Sequence, residues 1–208
     1  MSGDLFDGAK IPGLSLLPGF ALPEETALIE TAMAVASTSS FRIMATPGGA
    51  KMSAAITNCG AAGWVSDRRG YRYEPRDPLT GQPWPDMPEL FRGLATRAAA
   101  QAGFADFCPD VCLMNRYMPG GKMGLHQDRD ERDFSAPIVS VSLGLPASFL
   151  WGGPKRTDKT QRLALQSGDV VVWGGAQRLF FHGIATIGQG SHPALGAVRL
   201  NLTFRRAL

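Results

Sequence analysis

The tripeptide His126-Gln127-Asp128 sets an imidazole and a carboxylate two residues apart. In an extended segment, residues i and i+2 leave the same face of the chain, so both groups can converge on one ion. His182, after the apolar run Leu179-Phe180-Phe181, offers a second imidazole. Two imidazoles and one carboxylate make the facial triad that leaves three positions open on a non-haem Fe(II) for a bidentate co-substrate and oxygen. A His-x-Asp pair also arises by chance, and a surface histidine beside a turn carboxylate has the same sequence signature. The remaining histidine, His192, lies next to Pro193 in a turn-like stretch and is not expected to be a ligand.

The last segment narrows the chemistry. From Arg199 to Arg205 the chain alternates without a break, with Leu200, Leu202 and Phe204 on one face and Arg199, Asn201, Thr203 and Arg205 on the other. One reading is an edge strand with its polar face in water. If that face instead points inward, its two guanidinium groups require anions, and a dicarboxylate such as 2-oxoglutarate meets both. Asn115 and Tyr117, again two apart, offer an amide and a phenol for the remaining hydrogen bonds.

These groups need elements to carry them. A helix is expected from Leu22-Pro23-Glu24-Glu25, where proline and acids suit a first turn, through Leu28, Ile29, Met33 and Val35 to the Ser/Thr cluster at 37 to 40. A second runs from Met87 to Gln101, with Leu90, Leu94 and Ala98 four apart and Gly103 as its stop. Between them, residues 41–86 are rich in Gly, Pro, Tyr and Trp and read as short strands joined by long exposed loops. From Val111 onward the period is two, with strands expected over 111–117, 138–143, 148–151, 161–165, 170–173 and 198–204. Short, closely spaced strands after two helices imply an α+β, mainly β fold: a sandwich or jelly roll with helices packed on one outer face.

Composition bounds the rest. At 208 residues the chain fits one domain, 1–208, with 25 Gly and 15 Pro consistent with many turns. A net charge of +3 allows a polyanionic partner without the dense basic footprint of a strong electrostatic binder. Cys59, Cys108 and Cys112 form no paired spacing, so largely buried free thiols in a reducing compartment are expected rather than a disulfide framework or a zinc site. Met1 to Lys10 lacks a leader pattern and no window is apolar enough to span a membrane, so the cytoplasm is the expected location.

In the region 41–86, Trp64, Tyr71 and Tyr73 lie among Arg68, Arg69, Arg72 and Arg76. Flat rings interleaved with cations suit an extruded base and its phosphates, while aromatics buried under a loop are the plain structural alternative.

The ordered set Asn115-x-Tyr117, His126-x-Asp128-x-Asp130, His182 and Arg199-x-Asn201-x-Thr203-x-Arg205 resembles the AlkB family of DNA dealkylating dioxygenases. The likeness extends to Thr46-Pro47-Gly48-Gly49, Thr57-Asn58-Cys59-Gly60, Gly63-Trp64, the stretch Pro137 to Gly144 and the stretch Gly168 to Gly175, and so spans most of residues 41–205. It implies a double-stranded β-helix, or jelly-roll, core over 111–206, a nucleotide-recognition lid over 41–86 and an N-terminal extension over 1–20. It implies that His126, Asp128 and His182 bind Fe(II) and carry catalysis, with O2 as a co-substrate. Asn115, Arg116, Tyr117, Arg199, Asn201, Thr203 and Arg205 would bind 2-oxoglutarate. Trp64, Tyr71, Arg72, Tyr73, Asp130 and Arg156 would contact the substrate: Trp64 against the base, the Tyr71-Arg72-Tyr73 segment along the phosphates, Asp130 at the exocyclic amine and Arg156 in the lid. The implied reaction removes alkyl groups from bases of the 1-methyladenine and 3-methylcytosine type in DNA, single-stranded by preference, and in RNA second. It yields succinate, carbon dioxide and an aldehyde, from a monomer with no obligate protein partner. The sequence departs from the family pattern at Ala50, where an aromatic residue is expected, and at Leu200. Two alternatives are an Fe(II)/2-oxoglutarate hydroxylase of a protein or small molecule, and a non-catalytic nucleic-acid binding module.

Overall fold

The computed structural model describes residues 13–208. A 3-10 turn at Leu22–Glu24 leads into helix α1, Glu25–Thr38, which buries Leu28, Ile29, Ala32 and Val35 along one stripe. Helix α2, Glu89–Gln101, buries Phe91, Leu94, Ala95, Ala98 and Ala99. It begins two residues later than the periodicity suggests: Pro88 has an extended ψ of 143° and disfavours helical geometry at Met87 before it. Gly103, at φ +94°, follows its end.

Among the described residues there are thirteen strands: β1 Leu14–Leu17, β2 Arg42–Ala45, β3 Lys51–Gly60, β4 Gly63–Asp67, β5 Gly70–Glu74, β6 Val111–Tyr117, β7 Met123–His126, β8 Ile138–Gly144, β9 Ala147–Trp151, β10 Gln161–Leu165, β11 Val170–Trp173, β12 His182–Ile184 and β13 Arg199–Arg205. They form a seven-stranded sheet in the order β1-β11-β8-β13-β6-β3-β2, a four-stranded sheet in the order β10-β9-β12-β7, and the separate hairpin β4-β5. Both helices cover the outer face of the larger sheet, where their apolar stripes meet Met114, Val139, Val141, Val172, Leu200, Leu202 and Phe204. A second core, built by both sheets, contains Tyr117, Ile138, Phe149, Trp151, Val171, Trp173 and Ile184. This is the expected mainly β jelly roll.

Four strands, β1, β3, β7 and β12, fall outside the sequence expectations. β1 lies within the stretch read as an N-terminal extension, yet it pairs antiparallel with β11 as an edge of the large sheet; residues 1–12 of that stretch lie outside the described residues. β3, inside the stretch read as a lid, is a ten-residue strand paired with β6, so the part of 41–86 that stands apart from the main sheets is the hairpin β4-β5 and the chain that follows it. β7 and β12 are only four and three residues long, too short to show a period. β13 is no edge strand: it runs between β6 and β8, and all seven residues are buried. Cys59 and Cys112 are buried and face each other across β3 and β6, whereas Cys108 is exposed, contrary to its expected burial. Among the described residues no helix is long and apolar enough to cross a membrane.

Candidate active site

His126 ends β7 and His182 opens β12, and the two are direct partners across that strand pair. Their rings lie 4.4 Å apart between centroids. This close pairing depends on Gly183, where a Cβ would fall 2.6 Å from the Met123 carbonyl oxygen. Asp128, just beyond β7, turns its carboxylate between the rings, with Oδ1 3.6 Å from His126 Nε2 and Oδ2 3.7 Å from His182 Nε2. One ligand atom from each of the three lies within 4.8 Å of the others, a cluster that can hold a metal ion. Each imidazole is oriented through its other nitrogen. His126 Nδ1 lies 2.9 Å from the Gly124 carbonyl and His182 Nδ1 3.0 Å from the Phe180 carbonyl, which fixes the proton on Nδ1 and aims both Nε2 lone pairs at the cluster. Burial, with His182 opposite, pushes His126 down to about 4, so it is neutral and fit to ligate. Burial alone would raise Asp128, but the Arg205 guanidinium outweighs it and holds the carboxyl well below its usual range.

The polar face of β13 points into the same interior. Arg199 is fully buried, donates to Ser142 Oγ at 3.0 Å and to the Leu145 carbonyl at 3.5 Å, and has an unpartnered Nε. Among the described residues no carboxylate lies within ion-pair distance of it. Burial lowers it to about 10. Arg205 is held by Asp128 at 2.9 Å and Glu131 at 3.2 Å, and its Nη1 is unpartnered. A buried cation without an anion is costly, and two unpartnered guanidinium nitrogens on one face suit a diacid. Asn115 and Tyr117 line the pocket with the triad; burial pushes the phenol up to about 12, so it stays a donor. These residues therefore fit 2-oxoglutarate beside a metal.

Two expected contacts take different forms. The Arg116 side chain leaves β6 on the opposite face from Asn115 and Tyr117, and its guanidinium lies over the Phe41 ring at 4.9 Å, so it cannot reach the diacid. The Asn201 amide is already committed, donating to Ser140 Oγ and the Val141 carbonyl while accepting from Thr203 Oγ1.

The hairpin β4-β5 carries the aromatic residues. Gly63 seats the Trp84 ring, which a Cβ would meet at 2.3 Å, and the Asn58 amide pairs with both backbone groups of Trp64. Trp64 stacks on Tyr71 with centroids 5.4 Å apart and planes at 15°, and its Nε1 donates to Asp130 Oδ2. Tyr73 shares that face, but its hydroxyl donates inward to Glu131 at 2.7 Å and burial holds the phenol well above its usual range. Arg72 leaves the other face, paired with Asp67 at 2.9 Å and Glu74 at 2.6 Å. The three residues of this segment thus do not form one phosphate-facing row. Arg156, exposed, lies 5.8 Å from the Phe181 ring beside His182. Sequence reasoning missed Glu131 and Arg178, both buried and 3.3 Å apart. Glu131 sits in the charged run Asp128 to Asp133, which has the look of a solvated loop.

A jelly roll with this triad defines a non-haem iron oxygenase, and the family model of the 2OG-Fe(II) oxygenase superfamily matches residues 13–205. The chain is 55% identical to the alpha-ketoglutarate-dependent dioxygenase AlkB of Salmonella typhimurium, over 94% of this chain and 91% of that protein, and 56% identical to AlkB of Escherichia coli, over 94% and 90%. The solved structure of OsALKBH1 superposes with a TM-score of 0.83 at 31% identity, covering 96% of this chain and 99% of that one. The chain belongs to the AlkB family and is an Fe(II)/2-oxoglutarate-dependent dioxygenase.

Proposed function

We propose that this dioxygenase repairs N-alkylated bases of the 1-methyladenine and 3-methylcytosine type, in single-stranded DNA first and in RNA second. The observation that carries the reading is the stacked Trp64-Tyr71 pair, joined through Asp130 to the segment that follows the metal cluster. Relatives named as DNA N(6)-methyladenine demethylases in Arabidopsis thaliana support the coarser part of the reading, an N-methylated DNA base as substrate. Bound iron, 2-oxoglutarate and O2 supply a two-electron oxidation: one oxygen atom goes to the diacid, which leaves as succinate and carbon dioxide, and the other to the alkyl carbon, which then leaves the base as an aldehyde.

The protein's own groups do the positioning. His126, Asp128 and His182 hold the metal on one side and leave the other open. Arg199 and Arg205 neutralise the diacid, Asn115 and Tyr117 hydrogen-bond to it, and Asn201 and Thr203, on the same face, hold that face in place through their bonds to each other, Ser140 and Val141. Trp64 packs against the flipped base, Asp130 accepts from its exocyclic amine, and Tyr71 and Arg156 flank the strand. We assign the chain to the cytoplasm as a monomer. Aldehyde release from oligonucleotides bearing each lesion, compared across single-stranded DNA, duplex DNA and RNA, tests the proposal. Turnover on single-stranded DNA above the other two is expected; 2-oxoglutarate consumption that no alkylated oligonucleotide stimulates would instead favour a protein or small-molecule hydroxylase.

A further inference from the structure

Among the described residues, Arg178 is the one buried cation near the pocket that neither the metal nor the diacid explains. It is 2% exposed: Nε donates to the Ala136 carbonyl at 3.0 Å, Nη1 donates to the Asp128 carbonyl at 2.7 Å, and Nη2 lies within ion-pair distance of Glu131 Oε2, at 3.3 Å. Phe134 covers its guanidinium at 5.6 Å. The residue stands four positions before His182, while every group it holds lies in the segment 128–136 after His126 and Asp128. A second bond ties the same two stretches from the other side, Gln127 Nε2 to the Leu179 carbonyl at 2.6 Å. The ligands thus come from two stretches far apart in sequence, and hydrogen bonds from two side chains, Arg178 on one and Gln127 on the other, tie those stretches together.

We propose that Arg178, with Gln127, is a positioning residue for the metal ligands: a cross-brace that holds the His182 loop against the Asp128 segment so that the triad is formed before metal arrives. A buried arginine-glutamate pair is a poor device for stability alone, since apolar residues of similar volume serve as well or better. Its advantage here is geometric. A planar guanidinium fixes two carbonyls at once while its charge faces the Glu131 carboxylate, which an ammonium cannot do with the same geometry. Glu131 extends the brace, because it also accepts from Tyr73 and pairs with Arg205, linking the hairpin and the diacid face to the same node.

The inference rests on the proposed ligand set, and the test separates the two. Metal-free protein is titrated with Co(II), read by its visible absorption, for wild type, Arg178→Met, Arg178→Lys, Gln127→Ala and His182→Ala, with thermal unfolding of each metal-free protein alongside. Removing a partner of this kind weakens metal binding by roughly 10- to 100-fold. Arg178→Met is expected to fall in that range with an altered band shape, and Arg178→Lys and Gln127→Ala to lose affinity by a smaller factor. Should Arg178→Met fail to fold, the other two variants carry the same reading. Lower melting temperatures with Co(II) affinity and spectrum unchanged would overturn the brace and leave a structural role. Wild-type affinity in His182→Ala would overturn the ligand assignment itself.

Discussion

The indole nitrogen of Trp64 donates to Asp130 Oδ2 at 2.8 Å, across 66 residues of sequence, and so joins the hairpin β4-β5 to the segment that follows His126 and Asp128. One carboxylate oxygen is occupied by the indole, leaving Oδ1 for an exocyclic amine. Trp64→Phe keeps a ring for stacking and removes the N–H. A hydrogen bond to a charged group contributes about 1.5 to 3 kcal/mol when both partners are desolvated, and this one is exposed, so the low end applies. The expected result is a fall of about tenfold in kcat/KM for 1-methyladenine oligonucleotides, measured by aldehyde release. Unchanged kcat/KM would leave the indole only its stacking role.

Arg72 is engaged on both sides by Asp67 and Glu74, which raise it above its usual range. A cation already paired in this way contributes little to counterion release from phosphate. Arg72→Ala should therefore leave the salt dependence of oligonucleotide binding unchanged, whereas loss of a true phosphate contact would lower the log-log slope by about 1. Fluorescence anisotropy across a salt series distinguishes the two.

Arg199 is a buried cation with no carboxylate within ion-pair distance among the described residues. Arg199→Met removes that cost, so the ligand-free variant should melt at a higher temperature than wild type by a few degrees while losing the stabilisation that 2-oxoglutarate confers. Differential scanning calorimetry with and without the diacid measures both. A variant that melts lower and still gains stability from 2-oxoglutarate would show that Arg199 is structural.

Asp128→Ala should abolish turnover and metal binding while circular dichroism and cooperative unfolding are retained. Arg205 keeps Glu131 as a partner at 3.2 Å, so the change does not strand a buried charge. Collapse of the fold would instead mark the metal as a structural element.

The strand alternation of 199–205 made the shared polar face of Arg199, Asn201, Thr203 and Arg205 readable, because a period of two fixes which side chains travel together. The spacing of His126 and Asp128 was readable for the same reason. Nothing local indicated that His182 would stand directly across from His126, since that pairing is set by two strands of four and three residues and by the space at Gly183. Arg116 and Arg72 were misassigned because they adjoin functional residues in sequence while alternation sends them to the opposite face. Glu131 and Arg178 were hidden for a related reason: charged residues read as solvated until tertiary structure supplies their partners.

The most direct measurement is a crystal structure of the protein with Mn(II) and 2-oxoglutarate under anaerobic conditions. The metal is expected at bonding distance from His126 Nε2, an Asp128 oxygen and His182 Nε2, with the diacid completing its coordination and reaching the unpartnered nitrogens of Arg199 and Arg205. A metal bound elsewhere, or a diacid that leaves the Arg199 guanidinium without a carboxylate, would contradict the account.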